Sequence, residues 1–428
     1  MSRLATVVLC CVLALPARAQ EQAGDGPRDA TSTVFARYSD RILKVQIIES
    51  SSSAKRSIGT AFFVSSDGLM LTNYHVISDH IHERDDNRVE VLQQDGTAIP
   101  AVVVAVDVVH DLAILRTGLV TPSFFTLGPV ALRQGDRLYS LGHPSDLGLS
   151  IVEGTYNGNL KHTLSPKIHF TGSINPGMSG GPTITSDGRV VGVNVSTMGE
   201  QRSFLVPEGQ ATALVARVRA PGFAAAPDPF TEITAQLTDF QDSYLRTLFV
   251  EAPKRVDVGP FNVVSEPTPY FRCWGGSQRS DDRDKTPMYV QTWHNCGTDD
   301  DVFVAGEQRV GVVAVKHLAI TSERLNAARF GALFTSRFGL DPTPSGDEKH
   351  VTVWKCRARN VAAPATPVRA VLCLRGLKKL PGLYDAVLQV AVLGRSNAGL
   401  VSSLTLSGAT FENIDQASTR FLGLLAWR

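Results

Sequence analysis

Three things are scarce in this chain. The first is an excess of charge of one sign: 42 Lys and Arg stand against 41 Asp and Glu, leaving +1 over 428 residues. With no basic cluster either, nucleic acid is excluded as a partner. The second is long apolar runs. Outside residues 5–15 there is none, and that stretch falls short of the ~20 residues a bilayer span needs. No membrane span is expected in the mature chain. The third is cysteine, with six in all. Cys10 and Cys11 lie in the apolar N-terminal stretch. The other four, Cys273, Cys296, Cys356 and Cys373, are spaced too widely for a Cys-x2–4-Cys zinc site, so no metal is expected.

What is present begins with an export signal. Arg3 precedes the short apolar run, and Ala17-Arg18-Ala19 fits the small-x-small cleavage rule, so residues 1–19 read as a signal peptide. Thr6-Val7-Val8-Leu9 lacks the small residues expected before a lipoprotein cysteine. A periplasmic or secreted location follows. An even number of cysteines in an exported chain favours disulfides. Four cysteines allow three pairings, and the local pairs Cys273–Cys296 and Cys356–Cys373 are favoured.

Residues 20–33 are polar and read as disordered. From residue 34 to 219 the chain reads as short strands, at 41–48, 59–64, 70–72, 89–92, 101–106 and 112–116. Asp67-Gly68, Asp95-Gly96 and Asp187-Gly188 supply turn signals. This pattern argues for a mainly β sandwich or barrel, closed by a helix over 207–219. The Pro- and Ala-rich residues 220–229 read as a linker. Residues 230–428 read as a mixed α+β accessory region that opens with a helix over 231–249. Each cysteine pair there precedes a strand (312–320; 400–406) and a helix (322–338; 411–426). A duplicated disulfide-bearing unit is one reading of this order, although no fixed period supports it.

The chemistry lies in three motifs in chain order: Leu71-Thr72-Asn73-Tyr74-His75-Val76, His110-Asp111-Leu112-Ala113-Ile114-Leu115 and Asn175-Pro176-Gly177-Met178-Ser179-Gly180-Gly181-Pro182. A serine hydroxyl is a weak nucleophile at neutral pH and needs an adjacent base. That base needs a third group to hold its tautomer and stabilise its charged form. Ser179 is the candidate nucleophile, His75 the base and Asp111 the orienting carboxylate. The amides of Gly177 and Ser179, with Met178 as a further donor, are candidates for an oxyanion hole. The order His, Asp, Ser excludes hydrolases that place the serine first. This chemistry requires no cofactor, and its partners would be protein or peptide substrates. The bland readings are a His110 that points away from Asp111 on a strand, and an Asp299-Asp300-Asp301 run that is a solvated loop.

On these motifs, residues 42–219 resemble the trypsin-like serine proteases, and most closely their HtrA branch. Ile58-Gly59-Thr60-Ala61-Phe62-Phe63-Val64 and Leu141-Gly142-His143-Pro144 add to the match. The resemblance implies a chymotrypsin-like double β-barrel with the site in the cleft between barrels. It also implies that Ser173 lies at the base of the substrate pocket, with Asn194, Val195 and Ser196 along one wall. An uncharged pocket of that kind suits small or medium apolar side chains. Met178 stands where the family carries Asn or Asp. A methionine cannot form a buried ion pair, so activation through a freed N-terminus is not expected. No PDZ pattern follows the closing helix. A catalytically silent protease scaffold used for binding is the alternative function.

Overall fold

Short apolar strands joined by tight turns close on themselves twice. The first barrel has strand order β1-β2-β3-β6-β5-β4, built from β1 (Ile42–Glu49), β2 (Lys55–Phe63), β3 (Leu69–Thr72), β4 (Asn87–Leu92), β5 (Ala98–Asp107) and β6 (Leu112–Thr117). The second has order β10-β11-β12-β9-β8-β7, built from β7 (Arg137–Gly142), β8 (Ser150–Asn159), β9 (Ile168–Phe170), β10 (Pro182–Ile184), β11 (Val190–Thr197) and β12 (Ser203–Pro207). This is a double β-barrel. All three Asp-Gly turns place glycine at positive φ, 83° at Gly68, 86° at Gly96 and 87° at Gly188, where a side chain would be strained.

This computed structural model describes residues 29–427 apart from 198–201, 251–253, 281–286, 339–343, 345, 363–366 and 393–395. The signal peptide expected at 1–19 lies outside the described residues. Residues 30–33, expected to be disordered, instead open helix α1 (Ala30–Tyr38). The reason is burial: Val34 and Tyr38 pack into a core with Phe62, Phe125 and Leu141. Helix α2 (Tyr74–His82) follows β3, and α3 (Glu208–Arg219) buries Ala211, Leu214 and Val218 in the α1 core.

Helix α4 (Pro229–Leu245) begins inside the expected linker, because the Asp228 carboxylate caps it by accepting from the Phe230 amide at 3.0 Å. The C-terminal region is built on a seven-stranded antiparallel sheet. Its strands are β15 (Phe271–Arg279), β16 (Val290–Thr298), β19 (Val313–Thr321), β20 (Lys355–Ala362), β21 (Pro367–Gly376), β22 (Leu383–Val392) and β23 (Ala398–Thr410), in order β15-β16-β19-β23-β22-β21-β20. Strands β13 (Arg255–Val258), β14 (Phe261–Val264) and β24 (Ala426–Trp427) form a small second sheet; β17 (Val302–Ala305) and β18 (Gln308–Val310) form a hairpin. Helices α5 (Ala327–Arg337) and α6 (Phe411–Gly423) complete the region. In register, Cys273 opposes Cys296 and Cys356 opposes Cys373, and both pairs are bonded, with S–S distances of 2.06 and 1.98 Å. Strand β19 adjoins β16 directly, whereas β22 intervenes between β21 and β23, so the two cysteine hairpins are not followed by identical units.

The two regions share a core. Val45, Ile47 and Ile77 of the first barrel and α2 pack in one cluster with Ile233 and Leu237 of α4, Val302, Val304 and Val310 of the hairpin, and Leu377, Leu380 and Leu383. This shared core fixes the hairpin against the first barrel and α2.

Candidate active site

The geometry starts at the N-terminus of α2. Asn73 stands at the N-cap but does not cap the helix; its side-chain amide donates to the Asp111 carbonyl at 2.7 Å. The Asp111 carboxylate takes over that role. Its Oδ1 accepts from the His75 amide at 2.8 Å and its Oδ2 lies 2.6 Å from His75 Nδ1. A carboxylate at a helix N-terminus is favoured by the unpaired amides and the helix dipole. Asp111 adopts φ 55°, a left-handed conformation that Asp tolerates better than most residues and that turns its carboxylate back over α2.

His75 is half-buried. Its burial alone would lower the imidazole pKa, but the charge of Asp111 and its hydrogen bond outweigh that and hold the net value above 6.5. Arg309, from the hairpin, pushes the other way. His110, expected to point away on a strand, sits instead in the turn before β6. It pairs with Asp107 at 2.8 Å and lines the same cavity as His75. Alternation of side chains fails there because residues 108–110 are not extended.

Ser179 lies on a loop that glycines make possible. Gly177 has φ 95°, and a Cβ there would sit 2.3 Å from the His143 carbonyl. The Thr60 hydroxyl donates to the Gly177 carbonyl at 2.7 Å and accepts from the His143 amide at 3.0 Å, which fixes the loop's orientation. Neither the Gly177 nor the Ser179 amide has a partner among the described hydrogen bonds. Met178 does not fit the donor role assigned to it: its amide already donates to the Asn175 carbonyl at 3.0 Å. Its side chain is fully buried with Leu138, Phe170, Val191 and Leu205, an apolar setting with no place for the ion pair an Asp would need. No hydrogen bond joins the Ser179 hydroxyl to His75 among the described residues. Such bonds are often long until substrate arrives.

The expected pocket wall needs correction. Asn194 is 0% exposed and its side chain faces inward. The Asn194 Oδ1 accepts from Ser140 and Thr183, at 2.9 and 2.7 Å, and its Nδ2 donates to the Leu141 and Met178 carbonyls, each at 3.2 Å. With all its hydrogen-bonding capacity used, Asn194 ties the nucleophile loop to β7 and β10 and offers nothing to a ligand. Ser173 is exposed to solvent rather than set at the base of a pocket. The Ser196 side chain lies outside the described residues. Val195 does line a cavity, of about 500 Å³, beside His75 and Asp111.

The hairpin on the opposite wall of that cavity carries no motif and could not be anticipated from sequence. Asp300, expected in a solvated loop, is 7% exposed and forms an ion pair with Lys167 of the second barrel. Its burial requires that partner. The trio Cys273, His294 and Cys296 has its sulfur atoms bonded to each other, so it offers no thiolate to a metal.

The sequence profile of the trypsin-like peptidase domain matches residues 59–193. This chain contains a trypsin-like peptidase domain. The peptidase domain is 35% identical over 161 residues to the mitochondrial serine protease HTRA2 of Bos taurus, covering 35% of this chain and 34% of that one. It is 30% identical over 153 residues to a Chlamydia pneumoniae protein named "Probable periplasmic serine endoprotease DegP-like", covering 34% of this chain and 30% of that one. The chain thus spans about a third of the length of these relatives. A serine endoprotease structure from Yersinia pestis aligns at 24% identity with a TM-score of 0.40, covering 46% of this chain and 69% of that one; the fold assignment rests on the two closed barrels instead. The peptidase domain is thus HtrA-like in sequence.

Proposed function

We propose that the chain is an exported serine endopeptidase acting through Ser179, His75 and Asp111. The observation that carries this reading is the two-point grip of Asp111 on His75, through both its amide and its Nδ1, at 2.8 and 2.6 Å. Held in that tautomer, Nε2 is left to take the Ser179 proton as Oγ attacks a peptide carbonyl. The amides of Gly177 and Ser179 receive the oxyanion. His75 then protonates the leaving amine, and water hydrolyses the acyl-enzyme by the same route. Asp111 orients the ring and stabilises the imidazolium; it does not itself receive the proton. No cofactor enters these steps. Export is supported by the signal-like residues 1–19, by two disulfides and by the periplasmic naming of one relative. None of the described helices is long and apolar enough to cross a membrane.

The domain division proposed with this function is a peptidase domain over 34–219 and an accessory region over 230–428, in which a duplicated disulfide-bearing unit would be a diverged one. One observation favours the second reading, a silent binding scaffold: the missing Ser179–His75 hydrogen bond. Fluorophosphonate labelling decides between them, because it needs an activated serine. Labelling of the wild type that disappears in Ser179→Ala establishes the enzyme. A folded wild type that never labels supports the scaffold.

A further inference from the structure

We propose that the β17–β18 hairpin of the accessory region is a wall of the substrate cleft, in which Phe303, with Val195 and Val302, forms a subsite for an apolar side chain flanking the scissile bond. This rests on the peptidase reading above.

The hairpin is anchored on both sides of the cleft. On the first barrel, the Tyr74 hydroxyl, next to His75 in sequence, donates to the Val304 carbonyl at 2.9 Å. On the second, Asp300 holds Lys167 and accepts from the Ser165 amide and hydroxyl, each at 3.4 Å. Val302, Val304, Ala305 and Val310 are all buried in the core shared with the first barrel. A segment fixed at so many points is a wall rather than a lid.

From this base the half-buried Phe303 ring meets the His75 ring edge to face, with centroids 6.1 Å apart. The Arg309 guanidinium stacks over the other side of Phe303 at 4.4 Å from its centroid, which limits the positions the ring can take. The cavity of about 500 Å³ opens between these groups, with Val195 and Val302 along its sides. It reaches His75 and Asp111 but is not lined by Ser179 or Gly177. It therefore receives a residue beside the one whose carbonyl is attacked. The cations at its rim already have acidic partners: Lys167 has Asp300, and Arg309 has Asp301 at 3.7 Å. Arg56, also in the lining, has Glu49 and Glu83 at 3.3 and 3.4 Å, so beside Asp79 what the Phe303 wall offers for selection is apolar contact and shape.

The test uses the full chain in a Ser179→Ala background, where binding is read without turnover. Calorimetry would compare hexapeptides carrying Leu, Ala, Lys or Asp at each position in turn. The expected result is a position at which Leu binds about tenfold tighter than Ala, a preference lost in Phe303→Ala and largely kept in Phe303→Leu. Near-UV circular dichroism reports whether each variant is folded, and Phe303→Thr, which suits a strand but removes the apolar ring, carries the comparison if Phe303→Ala is not. An unchanged Leu preference in folded Phe303→Ala or Phe303→Thr would overturn the proposal, as would selection of Lys through Asp79, which also lines the cavity. With Ser179 restored, a chain that binds peptides through Phe303 but never hydrolyses them would support the wall and refute the peptidase reading. One that hydrolyses peptides indifferently to Phe303 would do the reverse.

Discussion

The barrels and the C-terminal sheet solve the same problem, an exposed strand edge, in different ways. Each barrel closes on itself and leaves no edge, and neither contains a cysteine. The seven-stranded sheet is open, and each of its two edge strands is tied to its neighbour by a disulfide: Cys273–Cys296 joins β15 to β16 and Cys356–Cys373 joins β20 to β21. Closure does for the barrels what covalent bonds do for the sheet edges. The difference also separates chemistry from support. Residues of the proposed triad come entirely from the barrels, while the sheet holds the hairpin that walls their cleft.

The sharpest way to break this division is Asp111→Asn. The side chain keeps its size, but its amide group favours the wrong tautomer of His75. We expect turnover to fall by about 10⁴-fold with no change in the unfolding of the sheet, measured by kcat on a peptide substrate and by thermal melts. A change confined to stability would remove Asp111 from the mechanism. Smaller in energy is the loss of one disulfide. With sequence separations of 23 and 17 residues, each bond should contribute ~3 kcal/mol by the loop-closure relation. Replacing Cys356 and Cys373 by Ala should lower the denaturation midpoint of the sheet while leaving kcat of the folded protein unchanged. A lower kcat without unfolding would mean that the sheet edge communicates with the cleft.

The same division governs what the sequence reveals. Chemistry restricts residue types, so His75, Asp111 and Ser179 stand out in their motifs, and Asp-Gly turns mark the barrel strands between them. Of the three pairings that four cysteines allow, the observed bonds follow the favoured local one. Packing restricts only size and polarity, and so it hides. Nothing in Val302 to Val310 marks a segment that crosses to Tyr74, the neighbour of His75, 230 residues earlier in the chain. Asn194 shows the opposite failure: the family resemblance implies a pocket wall, but four hydrogen bonds turn its amide into the interior. His110 and Met178 fail for related reasons, since each depends on a turn or an amide partner that only the folded backbone defines.

The smallest of these effects per unit of change contrasts two histidines. His75, in the barrels, is held above 6.5 by Asp111, whereas burial pushes His317, in the sheet, down to about 3. His317 is 1% exposed, with its Nδ1 at 2.8 Å from the Ser402 hydroxyl and its Nε2 at 3.1 Å from the Val264 carbonyl, a pairing that suits a neutral ring donating from Nε2. The stability from a depressed histidine is complete above its unfolded value and is lost as pH falls from 6.5 towards 3. The contribution from His75 has the opposite sign: it is present at low pH and lost as pH rises through its raised folded value. Acid should therefore act twice. Protonation of His75 should first switch off turnover, with an inflection above pH 6.5 and no loss of structure. Further acidification should then weaken the sheet, with His317 contributing a slope of up to about 1.4 kcal/mol per pH unit. Urea unfolding of wild type and His317→Gln at pH 7, 5 and 4 separates the two. The variant should start less stable and lose less on acidification, with some slope remaining from His82, which burial also pushes to about 3. Parallel pH dependence in the two proteins would place the acid sensitivity elsewhere, with His82 at the hairpin interface the next residue to replace.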